Sequence, residues 1–268
     1  MIDFHKWSKY APKETNAHIK PRYIDVAALK IVDVYNSFCY AKFNLDIADS
    51  VKSQSSMDKK YQKFVSLIFT QNTLFYINNC IDYMWQMLYA YCQKDNVELY
   101  DHKKFEELCK EKGLDNTVND LISYGIALKE DFRNIKEIKT YIEQKADELK
   151  LRNIYNHLKH RGTFAVKGLG DNSRVAFEKL QICMGFESID GRVVELQPKP
   201  LLYREEIDID VLLKNLHKFI EFFADKFDLL IEQIIPDDFI RETRQGMNAI
   251  LDCFDLSPIE EVLNIKHE

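Results

Sequence analysis

The distribution of glycine and proline is the feature that most constrains the fold of this chain. Its 268 residues include only 8 Gly and 6 Pro, and five of the Gly fall within 162–191. Both residue types interrupt helices, so their scarcity elsewhere favours long helices over a turn-rich β protein. Because 46% of the residues are hydrophobic and 12% are aromatic, the chain can bury a sizeable core. We therefore predict a mainly α protein.

Apolar residues that recur every three or four positions indicate where the helices lie. The predicted helices cover about 23–49, 57–93, 102–112, 117–129, 134–159, 210–235 and 238–253. The apolar stripe of the second helix contains Phe64, Leu67, Ile68, Phe75, Ile81, Tyr83, Met84, Leu88 and Tyr91. An irregular N-terminal arm over 1–22 precedes the helices. The simplest architecture is a helical bundle that forms a single domain over 1–268.

The glycine-rich segment has a different character. The dipeptide Asp190-Gly191 lies between the β-prone runs ESI and RVVEL, and such a pair between strand-like runs is typical of a tight hairpin turn. Pro198 and Pro200 then interrupt the run. We predict a small β-hairpin insertion around 163–207, within a segment that ends at 209, followed by C-terminal helices over 210–268.

Charge and cysteine usage bear on partners and location. The net charge is −6 with a pI of about 5.7, so any contact with nucleic acid must be local. The six Cys are scattered and form no C-x-x-C pair, which favours reduced thiols over disulfides or structural zinc. The first residues lack the apolar core of a signal peptide, and no segment is apolar enough to span a bilayer. We expect a cytoplasmic protein without a membrane partner.

The segment LKLRNIYNHLKHRG, residues 149–162, differs most from an ordinary helix. If one helix covers 134–161, its early apolar stripe (Ile135, Ile138, Ile142, Ala146 and Leu149) continues as Asn153, Asn156, His157 and His160. The opposite face becomes apolar at Leu151, Ile154, Tyr155 and Leu158. One interpretation is that the helix simply changes its packing partner. However, an idle solvated face usually consists of Lys and Glu rather than Asn and His.

The local charge of this segment is also unusual. No acidic residue occurs between Glu148 and Asp171, whereas Lys150, Arg152, Lys159, Arg161 and Lys167 all do. A basic stretch in an acidic chain is a candidate phosphate site. The alternatives are chance, or the preference of cations for a helix C-terminus. That preference explains Lys159 and Arg161 better than it explains Arg152.

The string RNIYNH from Arg152 to His157 resembles the signature of the HEPN superfamily (higher eukaryotes and prokaryotes nucleotide-binding domains). That signature is an Arg followed by four to six residues and a His late in a helix, often with a polar residue directly after the Arg. The resemblance covers about 61–159 and the helix after the hairpin, but neither the N-terminal arm nor the hairpin.

The resemblance implies a helical bundle that forms a homodimer, with the Arg–His helices of two copies facing each other. Many members are metal-independent endoribonucleases of toxin, defence or RNA-processing systems, whereas others only bind. The implied partners are RNA or a nucleotide, and an antitoxin or another protein of a defence system. Toxin members with a nucleotidyltransferase antitoxin often carry Tyr two residues after the His, a position that is Lys159 here.

RNA cleavage without a metal requires an acid, a base and a group that stabilises negative charge on the phosphorane. An imidazole can act as acid or base near neutral pH, which suits His157, and a guanidinium binds phosphate oxygens with two donors, which suits Arg152. Asn153 is a third catalytic candidate, since its amide can orient the imidazole or hold a phosphate oxygen. We predict substrate contacts from Asn156, Lys159, His160 and Arg161.

The geometry of a single helix and the absence of metal ligands limit this hypothesis. Arg152 and His157 diverge by about 140° on one helix, so they can share a phosphate only at a groove or across a two-fold axis. No Cys, Asp or Glu lies one turn from His157 and His160 on their face, so we expect neither a metal nor another cofactor. The alternative function is a non-catalytic helical protein that binds RNA or a nucleotide, or a scaffold dimer.

Overall fold

The computed structural model describes residues 3–11, 21–93, 101–110, 113–127, 132–161, 165–167, 169, 186–189, 192–195, 206–236 and 239. This part of the chain is mainly α, as predicted. A 3₁₀ helix at Phe4–Tyr10 lies within the arm that was expected to be irregular. The predicted helix over 238–253 falls almost entirely outside the described residues. Among the helices described, none combines the length and apolar composition needed to cross a membrane.

Seven α-helices carry most of the described chain. They are α1 (Arg22–Lys52), α2 (Lys59–Cys92), α3 (His102–Lys110), α4 (Leu114–Ala127), α5 (Arg133–Glu148), α6 (Leu151–Arg161) and α7 (Ile209–Ile234). The largest difference from the sequence-based expectation is that the helix predicted over 134–159 is two helices, α5 and α6.

Two short strand pairs lie between α6 and α7. Strands β2 (Phe186–Ile189) and β3 (Arg192–Glu195) are antiparallel, with Phe186 opposite Glu195 and Ile189 opposite Arg192. This pair confirms the predicted hairpin, while the turn residues Asp190 and Gly191 lie outside the described part. Strands β1 (Ala165–Val166) and β4 (Glu206–Ile207) are parallel, so the chain leaves α6 and returns to α7 through one strand pair.

The contacts divide the chain into two compact units. The first consists of 1–38, 79–142 and 221–268, and the second of 39–78 and 143–220. Helices α1, α2, α5 and α7 contribute residues to both units. The single domain expected over 1–268 therefore stays a prediction.

Aromatic packing around Trp7 organises the first unit. The indole of Trp7 is fully buried, and its ring centroid lies 5.4 Å from that of Phe38 and 5.0 Å from that of Phe227. Its Nε1 donates to Asp228 Oδ1 at 3.2 Å, and Lys6 Nζ donates to Asp228 Oδ2 at 2.7 Å. The hydrogen bond to Asp228 raises the pKa of Lys6. The arm is therefore attached to α7 by both apolar and polar contacts.

Small side chains bring α1 and α2 together in the second unit. Ser66 Oγ donates to the carbonyl oxygen of Ala48 at 3.4 Å, and Thr73 Oγ1 donates to that of Ala41 at 3.4 Å. Thr70, on the same face of α2, is also fully buried. Hydroxyl groups that reach the backbone of a neighbouring helix require a close helix–helix approach.

Large apolar side chains of the same helices lie at the surface instead. The predicted stripe of α2 is therefore wrong at three positions, since Phe64, Ile68 and Phe75 are exposed. The physical reason is that Ser66, Thr70 and Thr73 permit a closer approach to α1 than bulky residues would. Tyr40 and Phe43 of α1 are likewise exposed.

A left-handed residue separates α5 from α6. Lys150 has a φ of 57°, and its amide donates to the carbonyl oxygen of Asp147 at 2.9 Å. The carbonyl oxygen of Lys150 then accepts from the amide of Ile154 at 3.0 Å, which begins the new helix. Because the turn resets the helical phase, Leu149 and Leu151 are both buried. The continuous stripe predicted through Leu149 was wrong for this reason.

Replacing Lys150 with Gly should stabilise the protein, because glycine adopts positive φ without the steric cost that a side chain incurs there. We expect a net gain of about 0.5–1 kcal/mol in the free energy of unfolding, which is the steric cost relieved at this position minus the larger conformational entropy that glycine loses on folding. Denaturant unfolding of the parent and the variant measures this. Lys150→Ala, which keeps a Cβ, is the matched control and should show no such gain. A Lys150→Gly protein no more stable than the control would contradict the assignment of the turn.

Candidate functional site

Arg152 is attached to α2 by a buried amide. Its Nη1 donates to Asn78 Oδ1 at 3.1 Å, and Asn78 Nδ2 in turn donates to the carbonyl oxygen of Leu74 at 2.8 Å. Asn78 is fully buried and Arg152 is half-buried. An amide oxygen orients a guanidinium without cancelling its charge. This pair joins two helices of the second unit at the position where the sequence predicted phosphate binding.

His157 does not share a surface with the other residues of the predicted polar stripe. Its side chain is buried, with only 5% exposed, whereas Asn153, Asn156 and His160 are exposed. The break at Lys150 sets the rotation of α6 as a whole, and in that rotation His157 lies at the edge of the polar stripe, on its buried side. The sequence placed these four residues on one stripe of one helix, and three of them are exposed.

Two other predicted substrate contacts lie at the end of α6. Lys159 is exposed, and Arg161 is the last residue of the helix. Together with Asn153, Asn156 and His160, Lys159 forms the solvent-facing side of α6. This side therefore offers amide, imidazole and ammonium groups to a ligand. The catalytic and substrate-binding roles of these residues stay predictions.

A row of four aromatic rings from three helices extends from Arg152. The centroid of the Tyr155 ring lies 6.3 Å from that of Phe75, the Phe75 and Tyr76 rings are 5.3 Å apart, and Tyr76 lies 5.1 Å from Tyr40. Tyr155 is one turn after Arg152 on α6, and Phe75 is one turn before the partner of Arg152 on α2. We call these four rings the aromatic row. Sequence reasoning missed it, because no local pattern shows that α1, α2 and α6 meet.

A cavity of 270 Å³ lies at the start of α7. Its lining residues are Lys52, Lys63, Ser66, Lys167, Asp208, Ile209 and Asp210. Lys52 pairs with Asp210, and Lys167 Nζ lies 3.6 Å from Asp208 Oδ2. These carboxylates offset the lysine charges, so the cavity is a weaker anion site than the surface of α6.

Asp208 also caps α7. Its Oδ1 accepts from the amide of Asp210 at 3.0 Å and from that of Val211 at 3.5 Å. Desolvation acts to raise the pKa of Asp208, but these two amides and Lys167 outweigh it, so the pKa is lowered. The carboxylate of Asp208 therefore stabilises the start of the helix.

His217 and Asp49 form a pair that the sequence did not indicate. His217 Nε2 lies 2.6 Å from Asp49 Oδ2, and both side chains are close to half exposed. The two positions are far apart in the chain, so no spacing signal could have found the pair.

Metal ligation and similarity to known proteins would each indicate a function. In the described part of the chain, no group of three or more His, Cys, Asp or Glu side chains is placed to hold a metal ion. In comparisons with known proteins, no family model, no curated protein and no solved structure matches this chain. The resemblance to the HEPN superfamily therefore depends on the string from Arg152 to His157 and its helical context alone.

A double-mutant cycle tests the link between α6 and α2. Hydrogen bonds to a charged group contribute about 1.5–3 kcal/mol, so we expect Arg152→Ala and Asn78→Ala to show a coupling of at least about 1 kcal/mol in unfolding free energy. The control cycle pairs Asn78→Ala with Lys159→Ala, because Lys159 is exposed, and its coupling should be near zero. Equal couplings in the two cycles would show that Arg152 is not held by Asn78.

Proposed function

We propose that this protein is a metal-independent endoribonuclease of the HEPN type that acts as a homodimer. The observation that carries the proposal is the position of Arg152 on α6, where the buried Asn78 of α2 accepts a hydrogen bond from its guanidinium. The sequence around α6 has no acidic residue from 149 to 170. A guanidinium held in this way binds phosphate oxygens with two parallel donors. Asn153, Asn156, Lys159 and His160 add polar contacts on the exposed side of the same helix.

The proposed reaction is an internal transesterification. A His157 imidazole takes the proton of a 2′-hydroxyl, whose oxygen attacks the adjacent phosphorus and forms a 2′,3′-cyclic phosphate. The bond from phosphorus to the 5′-oxygen breaks, and that oxygen receives a proton from a protonated imidazole of the second copy. Arg152 stabilises the extra negative charge on the phosphorane oxygens, and Asn153 orients the imidazole. No electrons are transferred and no metal is required.

The dimer is part of the proposal because one α6 does not present both groups to one phosphate. Arg152 and His157 point about 140° apart on the helix, and His157 is buried in the single chain. A second copy of α6 across a two-fold axis would supply the complementary group. The proposed reaction also requires α6 to shift so that His157 reaches the RNA between the α6 helices of the two copies. A cytoplasmic toxin or defence system, with RNA as the target and an antitoxin as the protein partner, is the setting that the resemblance implies.

The burial of His157 favours a second candidate function. An imidazole with 5% exposure and an arginine hydrogen-bonded to a buried amide are also what a structural link between helices requires. In that case the protein binds RNA or a nucleotide through the exposed residues of α6, or serves as a scaffold dimer, without cleavage.

Incubation with RNA in excess EDTA tests the proposal. We expect the purified parent to cut a mixture of single-stranded and transfer RNAs and to leave cyclic-phosphate ends. Because an acid–base group contributes about 10²–10⁴-fold to rate, His157→Gln and His157→Ala should cut at least about 100 times more slowly. Arg152→Ala should lose activity to a similar extent. Gel electrophoresis and end-group analysis by mass spectrometry provide the measurements.

His5→Ala is the matched control, because His5 is an exposed histidine of the first unit and should leave the rate unchanged. Thermal unfolding of each variant separates loss of activity from loss of fold. A His157→Gln protein that is folded and cuts at the parent rate would disprove the catalytic role. A parent that binds RNA without cutting it, and loses binding in Arg152→Ala, would establish the second function.

A further inference from the structure

The aromatic row presents its rings to solvent. Tyr40 is 54% exposed and Phe75 is 46% exposed, while Tyr76 and Tyr155 are half-buried. A contiguous group of exposed aromatic rings is a candidate binding site. Tyr155, at one end of the row, lies one turn after Arg152 on α6, the helix to which the proposed function assigns phosphate binding.

Polar neutral or basic residues flank the rings at helical spacing. Phe75 has Gln71 and Asn72 one turn before it and Asn78 and Asn79 one turn after it. Tyr155 is flanked on its face by Arg152 and Lys159, and Tyr40 by Asn36 and Asn44. The exposed members of this set offer hydrogen bonds and positive charge alongside the rings.

The three helical segments that carry the rings contain no carboxylate. No Asp or Glu occurs between Asp33 and Asp46 on α1, between Asp58 and Asp82 on α2, or from 149 to 170 around α6. The chain as a whole has 43 acidic residues and a net charge of −6, and parts of all three segments belong to the second unit. The basic residues of these segments are Lys42, Lys59, Lys60, Lys63, Lys150, Arg152, Lys159, Arg161 and Lys167.

We propose that the aromatic row is a base-stacking surface for single-stranded RNA, with successive bases on the rings and phosphates toward Arg152 and Lys159. Bases of a single strand stack on exposed aromatic side chains, while basic residues follow the backbone. The absence of carboxylates removes the repulsion that the acidic chain would otherwise exert on phosphates. A second copy of the chain could also cover the apolar rings, but the basic residues and the lack of Asp and Glu in the three segments favour an anionic partner such as RNA.

The proposal rests on the proposed function only in taking RNA as the ligand. Its test measures binding of a strand that cannot be cleaved. A fluorescent single-stranded 2′-O-methyl RNA keeps bases and phosphates but lacks the hydroxyl nucleophile. We expect the parent to bind it more tightly than a duplex of the same sequence or an abasic strand of the same length. Since stacking changes binding by about tenfold or more per ring, Tyr40→Leu and Phe75→Leu should each weaken binding about tenfold.

Two control variants distinguish base stacking from a general loss of RNA affinity. Tyr40→Phe, which keeps the ring, should bind clearly more tightly than Tyr40→Leu, and Tyr124→Leu, at a residue that is 65% exposed in the first unit, should bind as the parent does. Sedimentation of the same proteins reports their oligomeric state. Leucine variants that bind like the parent, or an abasic strand that binds equally well, would overturn the proposal. Leucine variants that change from dimer to monomer would assign the row to a dimer interface instead.

The outcome is distinguishable from that of the cleavage experiment. Tight binding of the 2′-O-methyl strand with no cutting of ordinary RNA supports the stacking surface and rejects the nuclease. Cutting of ordinary RNA that is unaffected by the leucine variants rejects the stacking surface and retains the nuclease.

Discussion

The two-residue turn between α5 and α6 is the constraint on which the candidate site depends. Lys150 adopts a left-handed conformation, and its carbonyl begins a new helix instead of extending the old one. The turn fixes the rotation of α6, and that rotation decides which residues are buried and which meet solvent. Leu151 and His157 face inward, Arg152 reaches Asn78 on α2, and the amide-rich side faces out. The hydrogen bond between Arg152 and Asn78 then ties this orientation to the neighbouring helix.

The fold could be predicted where the signal is local. Apart from the break at Lys150, apolar spacing placed the described helices to within a few residues, and Asp190-Gly191 marked the hairpin that β2 and β3 form. The break at Lys150 could not be predicted, because the sequence has neither glycine nor proline there and a lysine in the left-handed region carries no distinctive signal. The exposed positions of α2 were missed for a different reason. Its buried face consists partly of Ser66, Thr70 and Thr73, which look polar in a periodicity analysis but allow close packing against α1.

The candidate site likewise has a part that could be predicted from local sequence and a part that could not. Charge and residue type identified α6 from the sequence, since both are properties of one short stretch. The partner of Arg152 and the four rings of the aromatic row come from α1 and α2 as well as α6, so only the fold brings them together. The candidate site therefore consists of the aromatic row together with the catalytic candidates Arg152, Asn153 and His157. Parts of all three carboxylate-free segments lie in the same unit as Arg152, and this arrangement supports the proposed RNA binding beyond what the motif alone does.

The most direct test of RNA binding at this surface is to map where RNA touches the protein. A single-stranded RNA that carries photoreactive uridines would be cross-linked to the full chain, and the modified peptides identified by mass spectrometry. We predict cross-links to residues of α1 around Tyr40, of α2 around Phe75 and of α6 around Tyr155, and their suppression by an excess of unlabelled single-stranded RNA but not by an unlabelled abasic strand. Cross-links confined to other parts of the chain, or equal suppression by the abasic strand, would contradict this prediction.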